Sequence, residues 1–189
     1  ASFDLGAARS LPGTHAVLSA REIPGENNVG GVVHDEQCLA DGVVQCVGQA
    51  VFLIAADSEE ICREAESLIR VTYEPLEPIL TIDDAIAKNT ILGKPRTMSR
   101  GNAAEALRQA PHVLTGELRT GAQEHWYLET QVALAVPGEN NEITVFGSTQ
   151  NPNETQTLVA EVLGLKKNKV VVEVRRIGGG FGGKETQAN

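Results

Sequence analysis

"VVVEVRRIGGGFGGKE", residues 170–185, is the stretch on which the reading of this chain turns. Val170 to Ile177 is rich in β-branched side chains and is predicted as a strand. Five glycines follow, Gly178, Gly179, Gly180, Gly182 and Gly183, interrupted only by Phe181 and leading into Lys184 and Glu185. Glycines at a strand end let the backbone turn sharply or approach a ligand closely, because no Cβ stands in the way. Two phosphate-binding patterns overlay the loop. Gly178, Gly180 and Gly183 satisfy G-x-G-x-x-G, and Gly178 through Lys184 satisfy G-x-x-x-x-G-K.

Side-chain chemistry separates the readings. A magnesium–nucleotide loop needs a Ser or Thr hydroxyl after its lysine. Here that residue is Glu185, whose carboxylate would repel a triphosphate, so this reading is rejected. A dinucleotide fingerprint needs an acid about 20 residues further on, beyond Asn189, and usually opens a domain. In a third reading, main-chain N–H groups approach an anionic or oxo-bearing ligand, Phe181 provides a fixed surface, and Glu185 accepts from an uncharged hydrogen-bond donor. A fourth makes the loop a tight turn whose glycines serve packing alone. The local pattern leaves the last three open.

Bulk properties exclude several classes. The chain has 189 residues, enough for one domain or two small ones, and a net charge of −9. That charge argues against a nucleic-acid partner, and no apolar run reaches membrane-spanning length. The basic stretch at 165–176 reads as a solvated face. No export signal is visible at the start, and a cytoplasmic location is expected. Cys38, Cys46 and Cys62 lack paired metal-ligand spacing and read as reduced, mostly buried thiols; His34 near Cys38 reads as a surface loop.

The predicted elements alternate. Strands are expected at 14–20, 49–56 and 70–78, with a helix from Asp57 capped by Asp57 and Glu60. Short capped helices are expected at 81–88 and from Asn102 through Ala110. Strands follow at 112–120, 130–136 and 142–148, the last two forming a hairpin around "PGENN". The clearest helix is 151–165, opened by Asn151 and Pro152 and ended by Gly164. The fold class is α/β, mixed α+β, with a boundary near 85–111.

"RRIGGGFGGKE" resembles the molybdopterin-loop motif of the xanthine dehydrogenase and aldehyde oxidase family. "GAQEHWYLETQ" (121–131), "STQNPNETQ" (148–156), "VGQAVFLIAADSEE" (47–60), "YEPLEPILT" (73–81) and "LADG" (39–42) agree with the same family over almost the whole chain. The resemblance is to its molybdopterin-binding large subunit, with the bacterial xanthine dehydrogenases as the nearest branch. It implies a partial α/β hammerhead domain over 1–85, a linker over 86–111, and the start of the first molybdopterin-binding domain over 112–189. It also implies a piece of a longer protein.

By the same resemblance Gln150 lies by the molybdenum, and the backbone of Phe181 faces the metal's oxygen ligands, with Gly180 and Gly182 beside it. Glu185 matches the glutamate that holds a purine in xanthine-oxidising members, where aldehyde-oxidising relatives commonly carry an apolar residue. Glu124, His125 and Glu129 tempt toward catalysis, yet His125 is expected to be a hydrogen-bonded structural histidine. The implied activity is hydroxylation of xanthine or hypoxanthine with oxygen from water. Its catalytic base is a glutamate expected downstream, so no catalytic residue is assigned here and the chain alone is expected to be inactive. The implied cofactor is molybdenum–molybdopterin, with 2Fe-2S centres and FAD on partner subunits or domains. The remainder of the large subunit is a further partner. An aldehyde-oxidising hydroxylase, a non-catalytic α/β binding module and a nucleotide-binding enzyme remain as alternatives.

Overall fold

The computed structural model describes residues 2–31, 33–91 and 93–185. In chain order the elements are β1 (Ser2–Asp4), α1 (Gly6–Arg9), β2 (Thr14–Leu18), β3 (Leu53–Ala56), α2 (Glu59–Leu68), β4 (Arg70–Thr72), α3 (Ile82–Ala87), α4 (Ala103–Gln109), β5 (Ala133–Pro137), β6 (Ile143–Gly147), α5 (Pro152–Val162) and β7 (Val170–Glu173). They gather into two compact units. One takes the residues up to 73 together with those from 124 onward, and the other takes 74–123.

The first unit holds three small sheets. β1 pairs with β4 and β2 with β3, both antiparallel, while β5–β6–β7 form a three-stranded sheet. β5 runs antiparallel to β6, and β6 runs parallel to β7 with α5 as the crossover between them. Two apolar clusters organise these layers. Leu5, Ala8, Val17 and Ala65 make one, with Phe52, Ile54 and Leu68 packed against it. Val145, Ala160 and Val170 make the other, which fastens α5 to its sheet. Val170 is fully buried, and burying a valine contributes about 1.5–3 kcal/mol.

Several expected strands are shorter because a strand ends where its partner ends. Residues 49–56 become β3 over 53–56, since its register runs only from Leu18↔Leu53 to Thr14↔Ala56. Residues 170–177 become β7 over 170–173, because pairing with β6 stops at Phe146↔Glu173. The stretch 112–120 forms no strand, having no neighbour to pair with among the described residues. The expected strand–helix–strand at 49–78 is present as β3–α2–β4, but its strands belong to different sheets.

Cap chemistry is reassigned at one helix and kept at the others. Ser58, not Asp57, caps α2: its Oγ accepts from Ile61 N at 3.3 Å, while the Asp57 carboxylate is taken by His15 Nε2 at 2.6 Å. Thr81, Asn102 and Asn151 cap α3, α4 and α5 as their positions suggest. Pro152 starts α5, and Gly164 leaves it with φ +64°. In the hairpin, Asn140 and Asn141 take left-handed φ of 54° and 60°, which asparagine tolerates. The cysteines are less buried than expected: Cys46 is exposed, and Cys38 and Cys62 are half-buried. Burial pushes the Cys38 thiol pKa up.

The second unit carries α3 and α4, and Leu80, Ile82, Ile86 and Leu107 are all exposed there. It buries no residue among those described. No helix among the described residues is long and apolar enough to cross a membrane.

One acid-sensitive contact lies in the first unit. Ser19 donates from Oγ (2.6 Å) and N (2.8 Å) to Glu22 Oε2, and Arg9 pairs with Oε1 at 3.0 Å. The serine bonds lead, and with Arg9 they lower the Glu22 pKa from 4.5 to about 2. A depressed carboxylate pKa gives stability that is present above its unfolded value and lost as pH falls through the folded one. The Tm difference between the full-length protein and its Glu22→Gln variant should therefore shrink as pH falls from 4.5 toward about 2. A constant difference would show that the carboxylate charge is not the source.

Candidate functional site

Topology brings the two decisive segments together. β6 and β7 are parallel neighbours, so the chain leaves both at the same edge of the sheet. Ser148–Gln150 follow β6, and Arg175 to Glu185 follow β7. The carboxyl ends of parallel strands are where ligands bind in α/β sheets, because loops there converge without covering one another.

The glycine loop is held in a shape that few residues tolerate. Gly178, Gly179 and Gly182 have φ of 53°, 97° and 95°, and Phe181 takes a left-handed φ of 52°. A bulky residue there is strained by about 1–3 kcal/mol, and such strain persists only where surrounding contacts impose it. Those contacts are visible. Gln150 Oε1 accepts from Gly182 N at 2.9 Å and from Lys184 N at 3.3 Å. Gln150 N donates to Lys184 O at 2.6 Å, and Gln131 Nε2 donates to Gly183 O at 3.0 Å. Gly183 N also donates to Gly180 O at 2.8 Å, closing a turn around Phe181.

The glycines are needed for space as well as angle. A Cβ on Gly180 would strike the Gln150 carboxamide, and one on Gly178 would strike Glu129. A Cβ on Gly183 would lie 2.7 Å from Tyr127 Cε1 and 2.9 Å from His125 Nδ1. Residues 125–129 therefore form the wall against which the loop is pressed. His125 N donates to Glu124 Oε1 at 3.0 Å, and its ring Nδ1 lies 3.7 Å from the same oxygen.

Of the residues singled out from sequence, Gln150, Gly180 and Gly182 are in direct mutual reach. Phe181 presents an exposed ring at the loop tip, 75% accessible, and Glu185 is exposed at the loop exit, with its N donating to Gly182 O at 3.4 Å. Because the Gln150 amide oxygen is taken by two loop N–H groups, its NH2 is left as a donor, the polarity that suits an oxo-bearing ligand. A groove of about 460 Å³ lies nearby, lined by Glu129, Glu173, Arg175 and Arg176 among others, and it does not include Gln150, Phe181 or Glu185. Among the described residues no cluster of His, Cys, Asp or Glu could hold a metal by itself. Sequence reasoning missed Lys184, which is fully buried beneath the loop. A lone long side chain amid glycines was its only signal.

Comparison with known proteins finds relatives across the chain. Residues 83–189 match the family described as molybdopterin cofactor-binding domain, and residues 1–77 match the aldehyde oxidase and xanthine dehydrogenase a/b hammerhead domain. The chain belongs to the xanthine dehydrogenase and aldehyde oxidase family. It carries that family's molybdopterin cofactor-binding domain, with hammerhead sequence before it. It is 42% identical over 187 residues to a xanthine dehydrogenase/oxidase of Gallus gallus and 46% identical over 188 residues to a xanthine dehydrogenase of Drosophila subobscura. Each alignment covers 98% of this chain and 14% of the relative, so the chain spans about a seventh of their length. Among solved structures, quinoline 2-oxidoreductase from Pseudomonas putida 86 superposes with a TM-score of 0.82 at 26% identity, over 99% of this chain and 26% of that one. The aldehyde oxidoreductase from Desulfovibrio gigas gives 0.78 at 22% identity, over 92% and 21%, a likeness of fold.

Steric demand at the loop is directly testable. Gly183→Ala should lower stability by about 1–3 kcal/mol, the usual cost of overpacking, read as a fall in Tm of the full-length protein. Gly121→Ala, where nothing lies within 4 Å, is the control expected to leave Tm unchanged. Equal Tm for both variants would mean that the wall at 125–129 yields to the added methyl.

Proposed function

We propose that this chain supplies part of the molybdenum-cofactor and substrate site of a purine-oxidising hydroxylase of the xanthine dehydrogenase type. The observation that carries the reading is the fixed Gln150 carboxamide, whose oxygen is held by Gly182 N and Lys184 N, one residue before Glu185. The donor set fits an oxygen-rich ligand: a carboxamide NH2 with no partner among the described residues, glycine main chain and a cradle that a Cβ on Gly180 would fill. Gln150, Gly180, Phe181 and Gly182 would face the bound cofactor, with Gln150 and Phe181 near the molybdenum. Bound molybdenum–molybdopterin supplies the electron acceptor for oxidation of a substrate carbon.

The chain's own residues bind and orient. Gln150 offers a donor, the left-handed Phe181 sets the loop's main chain, and Glu185 accepts from the ring N–H groups of a purine. Proton abstraction belongs to a glutamate outside this chain. The 2Fe-2S centres, the FAD and the rest of the large subunit are partners in the same proposal, as is a cytoplasmic location. The domain division at 1–85, 86–111 and 112–189 belongs to it too, beside family matches that run over 1–77 and 83–189.

In the full-length enzyme, Glu185→Val should lower kcat/KM for xanthine by about tenfold or more and change aldehyde turnover by less than about threefold, since a lost hydrogen bond to a buried polar partner is worth that much. Equal losses on both substrates would count against a purine contact. Aldehyde turnover without xanthine turnover in the parent enzyme would replace the purine with an aldehyde.

A further inference from the structure

Lys184 is fully buried, in a loop whose neighbouring Phe181 and Glu185 are exposed. A buried ammonium is costly unless its donors are met. Its Nζ donates to Ser148 Oγ at 2.7 Å and to the Ile177 carbonyl, and it lies 4.8 Å from the centre of the Tyr127 ring. Both acceptors are neutral, and the ring face supplies the remaining stabilisation of the charge. No ion pair to Lys184 occurs among the described residues.

These three contacts lie on three segments. Ser148 directly follows β6, Ile177 begins the glycine loop, and Tyr127 belongs to the wall. The main chain of Lys184 meanwhile bonds Gln150 from both sides, through N to Oε1 and through O from N. Thr149 Oγ1 adds a bond to the same carbonyl at 3.4 Å. One residue therefore fastens both ends of the loop and the glutamine beside it.

We infer that Lys184 is a positioning residue: its buried ammonium pins the start of the loop to the end of β6, and so fixes the Gln150 carboxamide and the departure of Glu185. The consequence for turnover rests on the function proposed above, whereas the pinning itself does not.

Two variants of the full-length protein test it. Lys184→Met keeps the length and loses the donors, and Ser148→Ala removes one acceptor. Amide hydrogen exchange across 177–185 should accelerate by about tenfold in Lys184→Met and less in Ser148→Ala, as expected when a local opening becomes easier. Per bound molybdenum, kcat should fall by about tenfold or more in Lys184→Met for xanthine and aldehyde alike, because Gln150 serves both substrates. That pattern differs from Glu185→Val, which acts on xanthine selectively. Unchanged exchange together with unchanged kcat would overturn the inference. If Lys184→Met does not accumulate as folded protein, Ser148→Ala decides, and parental exchange and kcat in that variant would overturn it. If the parent binds no molybdenum, the functional reading fails, while the exchange comparison still tests the pin.

Discussion

The site depends on a reciprocal bond between two residues 34 positions apart. Gln150 gives its main-chain N–H to the Lys184 carbonyl and takes the Lys184 and Gly182 N–H groups on its side-chain oxygen. Everything else in the loop adjusts to that frame. Gly180 has to lack a Cβ because the carboxamide fills the space, and Phe181 has to sit in a left-handed conformation because its neighbours are fixed on both sides. The interaction also orients the amide. With its oxygen consumed, the group is left with its NH2 as donor, so its polarity follows from an internal contact.

Part of this was legible in the sequence. The hairpin around residues 137–141 and the helix from Asn151 depend on local rules, an asparagine cap, a first-turn proline and turn residues that accept positive φ, and these survive folding intact. Strand lengths were less legible. Residues 174–177 look like more of β7, but a strand needs a partner, and β6 ends at Gly147. Asp57 reads as the cap of α2, yet His15, 42 positions away, takes its carboxylate and Ser58 caps the helix.

The site shows the same division. Gln150, Phe181 and Glu185 stood out because their spacing matches a family pattern, and the chain proved to belong to that family. Lys184 did not, for a physical reason. Whether a lysine is solvated or buried depends on segments remote in sequence. Tyr127, Ser148 and Ile177 meet around Lys184 only once the sheet has formed.

The parallel pairing of β6 and β7 has a thermodynamic consequence. Bringing Gln150 to Lys184 closes a long loop, and the entropy lost in that closure grows with the logarithm of its length. The contact itself does not have to meet that cost, because α5 and the Val145–Ala160–Val170 cluster, with the β6–β7 pairing, already hold the two strands together. The few hydrogen bonds at the loop can then be devoted to shape. Under the function proposed above, a cofactor bound at this loop would meet a surface already ordered by hydrophobic burial elsewhere, and its binding free energy would not be drained by folding the protein around it.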